Sequence, residues 1–376
     1  MKTGTIDTRL LEHYISKRIQ EDVQSQRVCG AAVAVLQRGQ LIYRGYFGLQ
    51  HPQKEEPLRA DAIFRIASMT KPITTVAVLQ LAQQGKLDLQ DEVAKYLPQY
   101  ARLPMASGGY NRVSMRIWHL LTHTSAMEAD AGYRETARYQ IPPETNRTIA
   151  DAVDYYAGLA LPYEPGEHRR YSGRVAFDVL GRIVEVVSGM EFAEYVRQNI
   201  LQPCGMADTT FAPTPEQWQR VVGMHNYVDG KGVAAPTVPG CVMDNCPVTH
   251  PLGGSGLIST LDDYVKFAQM LLHKGMAPGG RVLDEAWIDE MRKPQLPKEM
   301  MSESVNQGLG VRVITGDGYP WLPDGTYGWS GAYGTHFWVD PVNEIVAVYL
   351  KNSHYDGGSG ALTGKHFEED VFLSIL

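Results

Sequence analysis

The sequence predicts an α/β protein of the α+β type: an antiparallel sheet flanked by helices, interrupted by an all-helical insertion. Strand-like runs gather at both ends of the 376-residue chain, while the stretch from about residue 75 to 205 shows mostly helical spacing. No internal repeat or low-complexity block suggests another architecture. One sheet assembled from both chain ends, with helices inserted between, accounts for these observations. The expected division is a discontinuous sheet domain, residues 1–75 and 250–376, and a mainly helical domain, residues 76–249. A cleft between two such units is the usual place for a site.

The elements follow in order. Leu10, Leu11, Tyr14, Ile15, Ile19 and Val23 recur near helical spacing and predict a helix over 8–26. Strand-type runs at 31–36 and 41–47 flank Gln37-Arg38-Gly39-Gln40, a hairpin signal. A helix opens at Ser68 and runs to Gln84, with Gly85 as its stop and Pro72 harmless in its first turn. Further helices are expected over 117–123, 149–161, 175–188 and 192–200. Residues 126–147, with Pro142-Pro143, read as a long surface excursion, and 207–250 as loops with short strands. Gly253-Gly254-Ser255-Gly256 turns into a helix over 261–274, with Ser259 or Thr260 as N-cap before Asp262 and Asp263. Strands at 309–315, 326–329, 335–339 and 344–350 and a helix over 365–376 complete the chain.

Composition narrows the function. The chain is 44% hydrophobic and 20% charged, with a net charge of −7, and no basic patch offsets that field, which argues against nucleic acid. No stretch reaches the roughly 18 apolar residues a membrane helix needs. The N-terminal residues lack the apolar core of a signal peptide, so a cytoplasmic protein is expected. Four cysteines (Cys29, Cys204, Cys241, Cys246) are too few for a disulfide scaffold and are read as reduced thiols. Nothing in the sequence signals an oligomeric state.

Several enzyme signatures are absent. Ser255, Ser330 and Ser359 each have Gly two residues before but not two after, so none sits in a G-x-S-x-G elbow. His119 and His123 are spaced like zinc ligands, but Leu stands where a zinc hydrolase has its glutamate, so they are read as structural. The Gly-Gly-Ser-Gly run lacks the following Gly-Lys-Ser/Thr of a P-loop. No metal and no organic cofactor is expected.

What remains is Ser68-Met69-Thr70-Lys71, an S-x-x-K at a helix start. Three residues of helix put the serine hydroxyl and lysine amine on one face. A serine hydroxyl becomes a good nucleophile when a neighbouring base takes its proton. The motif alone is weak, since about one is expected by chance in a chain of this composition.

Two further segments give it context: Tyr171-Ser172-Gly173 before a helix, and Trp329-Ser330-Gly331-Ala332-Tyr333 in a strand region. With Leu120-Leu121-Thr122-His123-Thr124-Ser125, Pro203-Cys204-Gly205-Met206, the segment 256–264 and the segment 337–341, these resemble the serine β-lactamase and penicillin-binding-protein superfamily. The similarity is to its class C β-lactamase-like branch, including the family VIII carboxylesterases, and covers about residues 30–350. It implies a β-lactamase/transpeptidase-like fold and an acyl-serine mechanism. Ser68 would be the nucleophile, with Lys71 and Tyr171 sharing the proton handling, and which of them acts first stays open. The backbone N–H groups of Ser68 and Ala332 would form the oxyanion hole.

The departures from the family pattern shape the expected substrate. Gly173 stands where lactamases usually carry an Asn that grips the substrate's amide. Trp329-Ser330-Gly331 replaces Lys-Thr-Gly, whose cation attracts the substrate carboxylate. Losing such a charge-assisted contact costs about 1.5–3 kcal/mol. Trp329 would offer apolar contact instead, with Tyr333 and His336 lining the same cleft and His336 supplying positive charge at low pH. The expected function is therefore a carboxylesterase on small or medium acyl esters, with a small-molecule ester (or amide or lactam) as partner and weak or no β-lactam hydrolysis. A β-lactamase or D-alanyl-D-alanine carboxypeptidase, an acyltransferase, and a non-catalytic penicillin-recognising-type binding protein are the alternatives.

Overall fold

A computed structural model describes residues 4–128, 148–237, 250–316, 318–358 and 360–376. In chain order, α1 (Thr8–Gln24) leads into β1 (Gly30–Gln37), β2 (Gln40–Gly48), β3 (Ile63–Arg65) and α2 (Thr70–Gln83). Then come α3 (Ile117–Leu121), α4 (Ile149–Ala157), α5 (Val175–Ser188), α6 (Phe192–Val196), and the short α7 (Gln202–Cys204) and α8 (Pro215–Trp218). The ribbon β4 (His225–Val228) and β5 (Lys231–Ala234) precedes β6 (Ile258–Thr260), α9 (Leu261–Leu272), a second ribbon β7 (Met276–Ala277) and β8 (Gly280–Arg281), and α10 (Glu285–Arg292). The last elements are β9 (Val305–Gln307), β10 (Arg312–Ile314), β11 (Tyr327–Ser330), β12 (His336–Asp340), β13 (Ile345–Lys351) and α11 (Leu362–Leu373).

The main sheet has the strand order β2-β1-β13-β12-β11-β10-β9, and all its pairings are antiparallel. It is therefore built from both chain ends. Arg38 (φ 51°) and Gly39 (φ 73°) form the two-residue turn between β1 and β2, the left-handed pair a tight hairpin requires. Both faces of the central strands are covered. Ala31, Val33, Val35, Ala347 and Tyr349 pack with Leu11, Ile15 and Ile19 of α1 and Phe367 and Val371 of α11. Ala32, Ala34, Leu36, Val346 and Val348 join the core on the other face, which includes α9, α2 and α5. Two-sided burial explains why β1 and β13 read as continuous apolar runs rather than alternating ones.

The structure moves several boundaries. α2 is preceded by a 3₁₀ turn, Ala67–Met69, and Gly85 (φ 68°) follows its end as expected. The helix expected over 192–200 passes through a π turn, Arg197–Leu201, into α7. The strand expected over 309–315 shrinks to β10, and the last helix starts three residues earlier than expected, at Leu362. Ala126, Met127 and Glu128, assigned above to a surface excursion, are buried. The rest of that excursion, Cys241, Cys246 and Ser359 lie outside the described residues. Among the described residues no helix is long and apolar enough to cross a membrane.

Candidate active site

The turn carrying Ser68 is clamped from distant parts of the chain. Asn352 accepts from the Arg65 N–H and donates to the Arg65 carbonyl, both at 3.0 Å. Thr335 Oγ1 donates to the Ile66 carbonyl at 3.0 Å, and Tyr264 Oη to that of Met69 at 2.8 Å. These bonds hold Ala67 at φ 45°, a left-handed conformation costing a non-glycine residue about 1–2 kcal/mol. Strain of this kind, fixed by its surroundings, tends to gather at functional sites. Ser68 itself is 7% exposed.

Ser68 Oγ lies 2.6 Å from Tyr171 Oη and 3.2 Å from Lys71 Nζ. Lys71 is fully buried, and its amine also donates to the carbonyls of Gly173 (2.6 Å) and Gly254 (2.8 Å). Carbonyls only accept, so two N–H groups are committed there and the remaining position of Nζ faces Ser68. The ring of Tyr171 lies 4.9 Å from Nζ, and that of Phe177 5.3 Å. The three residues singled out from the sequence thus meet in one constellation.

Strand β11 closes against this turn. A Cβ on Gly331 would come within 2.4 Å of the Ile66 carbonyl, so only glycine lets the strand end approach so closely. Ala332, the next residue, packs against a small apolar cluster of Ala67, Met224 and Tyr333. In the turns around the site, neither the Ser68 nor the Ala332 N–H donates to a backbone carbonyl among the described residues. β10 pairs with β11 only as far as Gly328, leaving the edge of Trp329 and Ser330 open.

Trp329 is 8% exposed; its ring stacks on His123 (5.7 Å, 15° between planes) and lies 6.0 Å from that of Tyr171. It serves the core and the site together. Tyr333 and His336, expected to line the cleft, are instead buried behind it, at 1% and 4% exposure. Tyr333 fills the space beside Ala67, while His336 Nδ1 lies 2.8 Å from Ser330 Oγ and its Nε2 3.0 Å from Glu368. The reason is strand alternation: the register pairs His336 with Ser330 and Tyr349, on the face covered by α11.

Two residues at the site were not assigned a role there. α3 ends at Leu121, so His119 and His123 do not share a helix face; His123 has φ 58° and lies beyond the helix. His119 Nδ1 accepts the Arg116 N–H, and burial lowers its imidazole to about 4. His123 Nδ1 accepts the Ser172 N–H, and its ring packs 4.8 Å from that of Tyr171. Burial, with the Arg169 and Lys71 cations nearby, holds it well below the usual histidine range. The quoted Leu-Leu-Thr-His-Thr-Ser segment was the available signal.

Glu128 is the other. It is 4% exposed, and its Oε2 accepts from the N–H groups of Arg174 (2.8 Å) and Val175 (3.1 Å) and from Ser172 Oγ (3.2 Å). Ser172 Oγ in turn accepts from the Ala176 N–H, so the free donors at the start of α5 are satisfied from two sides. A Cβ on Gly173 would sit 3.6 Å from this carboxylate. The space in which a family asparagine would project is thus bordered by a negative charge. Among the described residues no group of three or more His, Cys, Asp or Glu could hold a metal ion.

A clamped serine shared between a buried lysine amine and a tyrosine hydroxyl, on a two-faced antiparallel sheet with inserted helices, defines a serine hydrolase. The chain belongs to the Beta-lactamase family, whose model matches residues 15–366. It is 31% identical over 360 residues to Protein Rv1367c of Mycobacterium tuberculosis, covering 88% of each chain. It is 29% identical over 383 residues to Esterase EstB of Burkholderia gladioli, covering 96% of this chain and 95% of that protein. Among solved structures it resembles EstCE1, described as a hydrolase with promiscuous acyltransferase activity, with a TM-score of 0.84 at 24% identity, covering 97% and 99% of the two chains.

Proposed function

We propose that the protein is a carboxylesterase that cleaves small or medium acyl esters through an acyl-Ser68 intermediate, with weak or no β-lactam hydrolysis. The observation that carries this reading is that Ser68 Oγ accepts a hydrogen bond from Lys71 Nζ and shares another with Tyr171 Oη. Ser68 Oγ attacks the ester carbonyl as its proton passes to the Tyr171 oxygen acting as phenolate, and the phenol so formed returns that proton to the departing alcohol. Lys71 holds the other side of Oγ. The N–H groups of Ser68 and Ala332 stabilise the oxyanion, with each such donor contributing about 3–4 kcal/mol. Water then repeats the sequence in reverse and frees the acid.

Preference for an ester over a β-lactam rests on two positions. Trp329 removes the cation that would attract a lactam carboxylate. Gly173 lacks the side-chain amide that would grip the lactam's own amide. The relationship to Esterase EstB over most of both chains supports the same class.

The test compares p-nitrophenyl acetate, butyrate and octanoate with nitrocefin, on wild type and Ser68→Ala. Ester turnover that vanishes in the variant, with nitrocefin slower by orders of magnitude, is expected. Equal rates in variant and wild type would overturn the assignment of Ser68. Nitrocefin cleaved as fast as the esters would overturn the substrate class.

A further inference from the structure

Two consecutive residues at the end of β13 reach the two turns that carry the oxyanion donors assigned above. Asn352 clamps the turn of Ser68 through the N–H and carbonyl of Arg65. Lys351 serves the turn of Ala332. It is 1% exposed, and its stem lies against Gly334, where a Cβ would come within 2.0 Å of Lys351 Cε. Gly334 has φ 87°, a conformation open to glycine and strained for other residues. The Lys351 amine donates to the Tyr355 carbonyl and to Asp356 Oδ2, both at 3.3 Å. Asp356 in turn accepts from the N–H groups of Leu362 (2.5 Å) and Thr363 (2.9 Å) and from Thr363 Oγ1 (2.8 Å), at the start of α11. Removing one partner of a buried ion pair is costly, so this pair is a firm anchor for the chain between β13 and α11.

The anchored chain presses on the Ala332 peptide. Gly358 N–H donates to the Gly331 carbonyl at 2.9 Å, and Gly334 N–H donates to the same oxygen at 3.0 Å. Gly357 lies so close that a Cβ on it would fall 1.9 Å from the Ala332 carbonyl oxygen. The Gly331 carbonyl and the Ala332 N–H belong to one peptide unit. That unit is trans, since the described residues contain no cis peptide bond, and its C=O and N–H point in opposite directions. Two donors on the carbonyl therefore fix the direction of the N–H. Among the described residues that N–H meets no backbone acceptor of its own. An oxyanion donor works by being aimed before the reaction, so whatever holds this peptide plane sets its worth.

We propose that the Gly357-Gly358 segment, anchored by the Lys351–Asp356 pair, is a positioning element that aims the Ala332 N–H at the oxyanion. This deepens the acyl-Ser68 reading above and rests on it. All four are positioning residues, acting through the Gly331–Ala332 peptide rather than on the substrate itself. The end of β13 thus places both donors, Asn352 through the Ser68 turn and Lys351 through the loop that follows it.

The experiment compares wild type with Gly357→Ala on p-nitrophenyl butyrate and on n-butylboronic acid. Gly357 is exposed and its φ lies outside the left-handed region, so the added methyl group strains chiefly the contact with Ala332. Ser68 Oγ adds to boron as its proton passes to the neighbouring base, and an oxygen of the tetrahedral adduct takes the oxyanion's place. In the variant kcat is expected to fall about 10- to 100-fold with KM changed less than about threefold, and the boronate dissociation constant to rise about as much as kcat/KM falls. A variant that is merely destabilised has fewer active molecules, which lowers kcat but leaves boronate affinity unchanged; that result, or an unchanged kcat, would overturn the inference. Asp356→Asn keeps an oxygen for the α11 donors and removes the charge facing Lys351. It is expected to move both readouts the same way by a smaller factor, and wild-type values in it would overturn the anchoring role. If the alanine variant fails to fold, the asparagine variant decides on the same two readouts. Wild type that cleaves no ester would overturn the ester reading, while boronate affinity, measured by calorimetry, still decides whether the loop sets the donor.

Discussion

Ser68 Oγ stands closer to Tyr171 Oη, at 2.6 Å, than to Lys71 Nζ, at 3.2 Å, although Tyr171 is 103 residues away and Lys71 only three. A contact of this length is a close hydrogen bond between the two oxygens. Lys71 has two N–H groups tied to the carbonyls of Gly173 and Gly254, while Tyr171 is 39% exposed and open to the cleft side. The tyrosine is therefore the better placed proton acceptor. Tyr171→Phe keeps the ring contacts with His123 and Trp329 and removes only the oxygen. It should lower kcat for p-nitrophenyl butyrate by about 10²–10⁴-fold, the usual range for losing a general base, with thermal stability nearly unchanged. A loss below threefold would transfer the role to Lys71.

Glu128 links the start of α5 to the strip carrying Tyr171. Glu128→Ala leaves the N–H groups of Arg174 and Val175 without their buried acceptor, at about 1–3 kcal/mol for such a group. The melting temperature should fall accordingly. Because Ser172 is also released, kcat should drop about tenfold while KM changes less. Urea unfolding alongside steady-state kinetics checks both, and an unchanged melting temperature would show that the cap is dispensable.

How much of this was legible in the sequence depends on how local each signal is. The hairpin at Arg38-Gly39, the helix over 175–188 and the N-cap at Thr260 could be read because a few adjacent residues determine each of them. β3, β6 and β9 are three residues long, too short for any periodicity to register. α10 was missed because only Ile288 and Met291 of its eight residues are buried, a weak apolar stripe. Ser68 and Lys71 were visible from spacing; Tyr171 was visible only through the family resemblance. Glu128, and the link from Ser330 through His336 to Glu368, join residues from separate elements, so no local pattern marks them.

Trp329 tests whether the third motif can simply be converted back. Trp329→Lys would restore the cation of the family pattern, but the ring it removes stacks on His123 and is 8% exposed. The new ammonium would be buried near Lys71 and His123, and the lost aromatic volume would leave a cavity. A loss of about 3 kcal/mol or more in stability is expected, with no gain in nitrocefin cleavage. A hundredfold gain at unchanged melting temperature would show that the cation alone separates the two activities.

Asp178 gives the protein a pH dependence of its own. It lies fully buried in α5, and burial pushes its carboxyl up to about 7, with Arg174 opposing and Glu128 adding to the rise. An acid whose folded value is raised binds more protons in the native than in the unfolded state between the two values. Stability contributed by this group is therefore complete below about pH 4 and declines as pH rises towards about 7, by at most about 4 kcal/mol. Asp178→Asn mimics the protonated form in shape and removes the titration. Its stability relative to wild type should thus increase steadily from pH 5 to pH 8 and level off beyond. Urea midpoints at pH 5, 6, 7 and 8 measure this, and a constant difference between the two proteins across that range would rule Asp178 out as the titrating group.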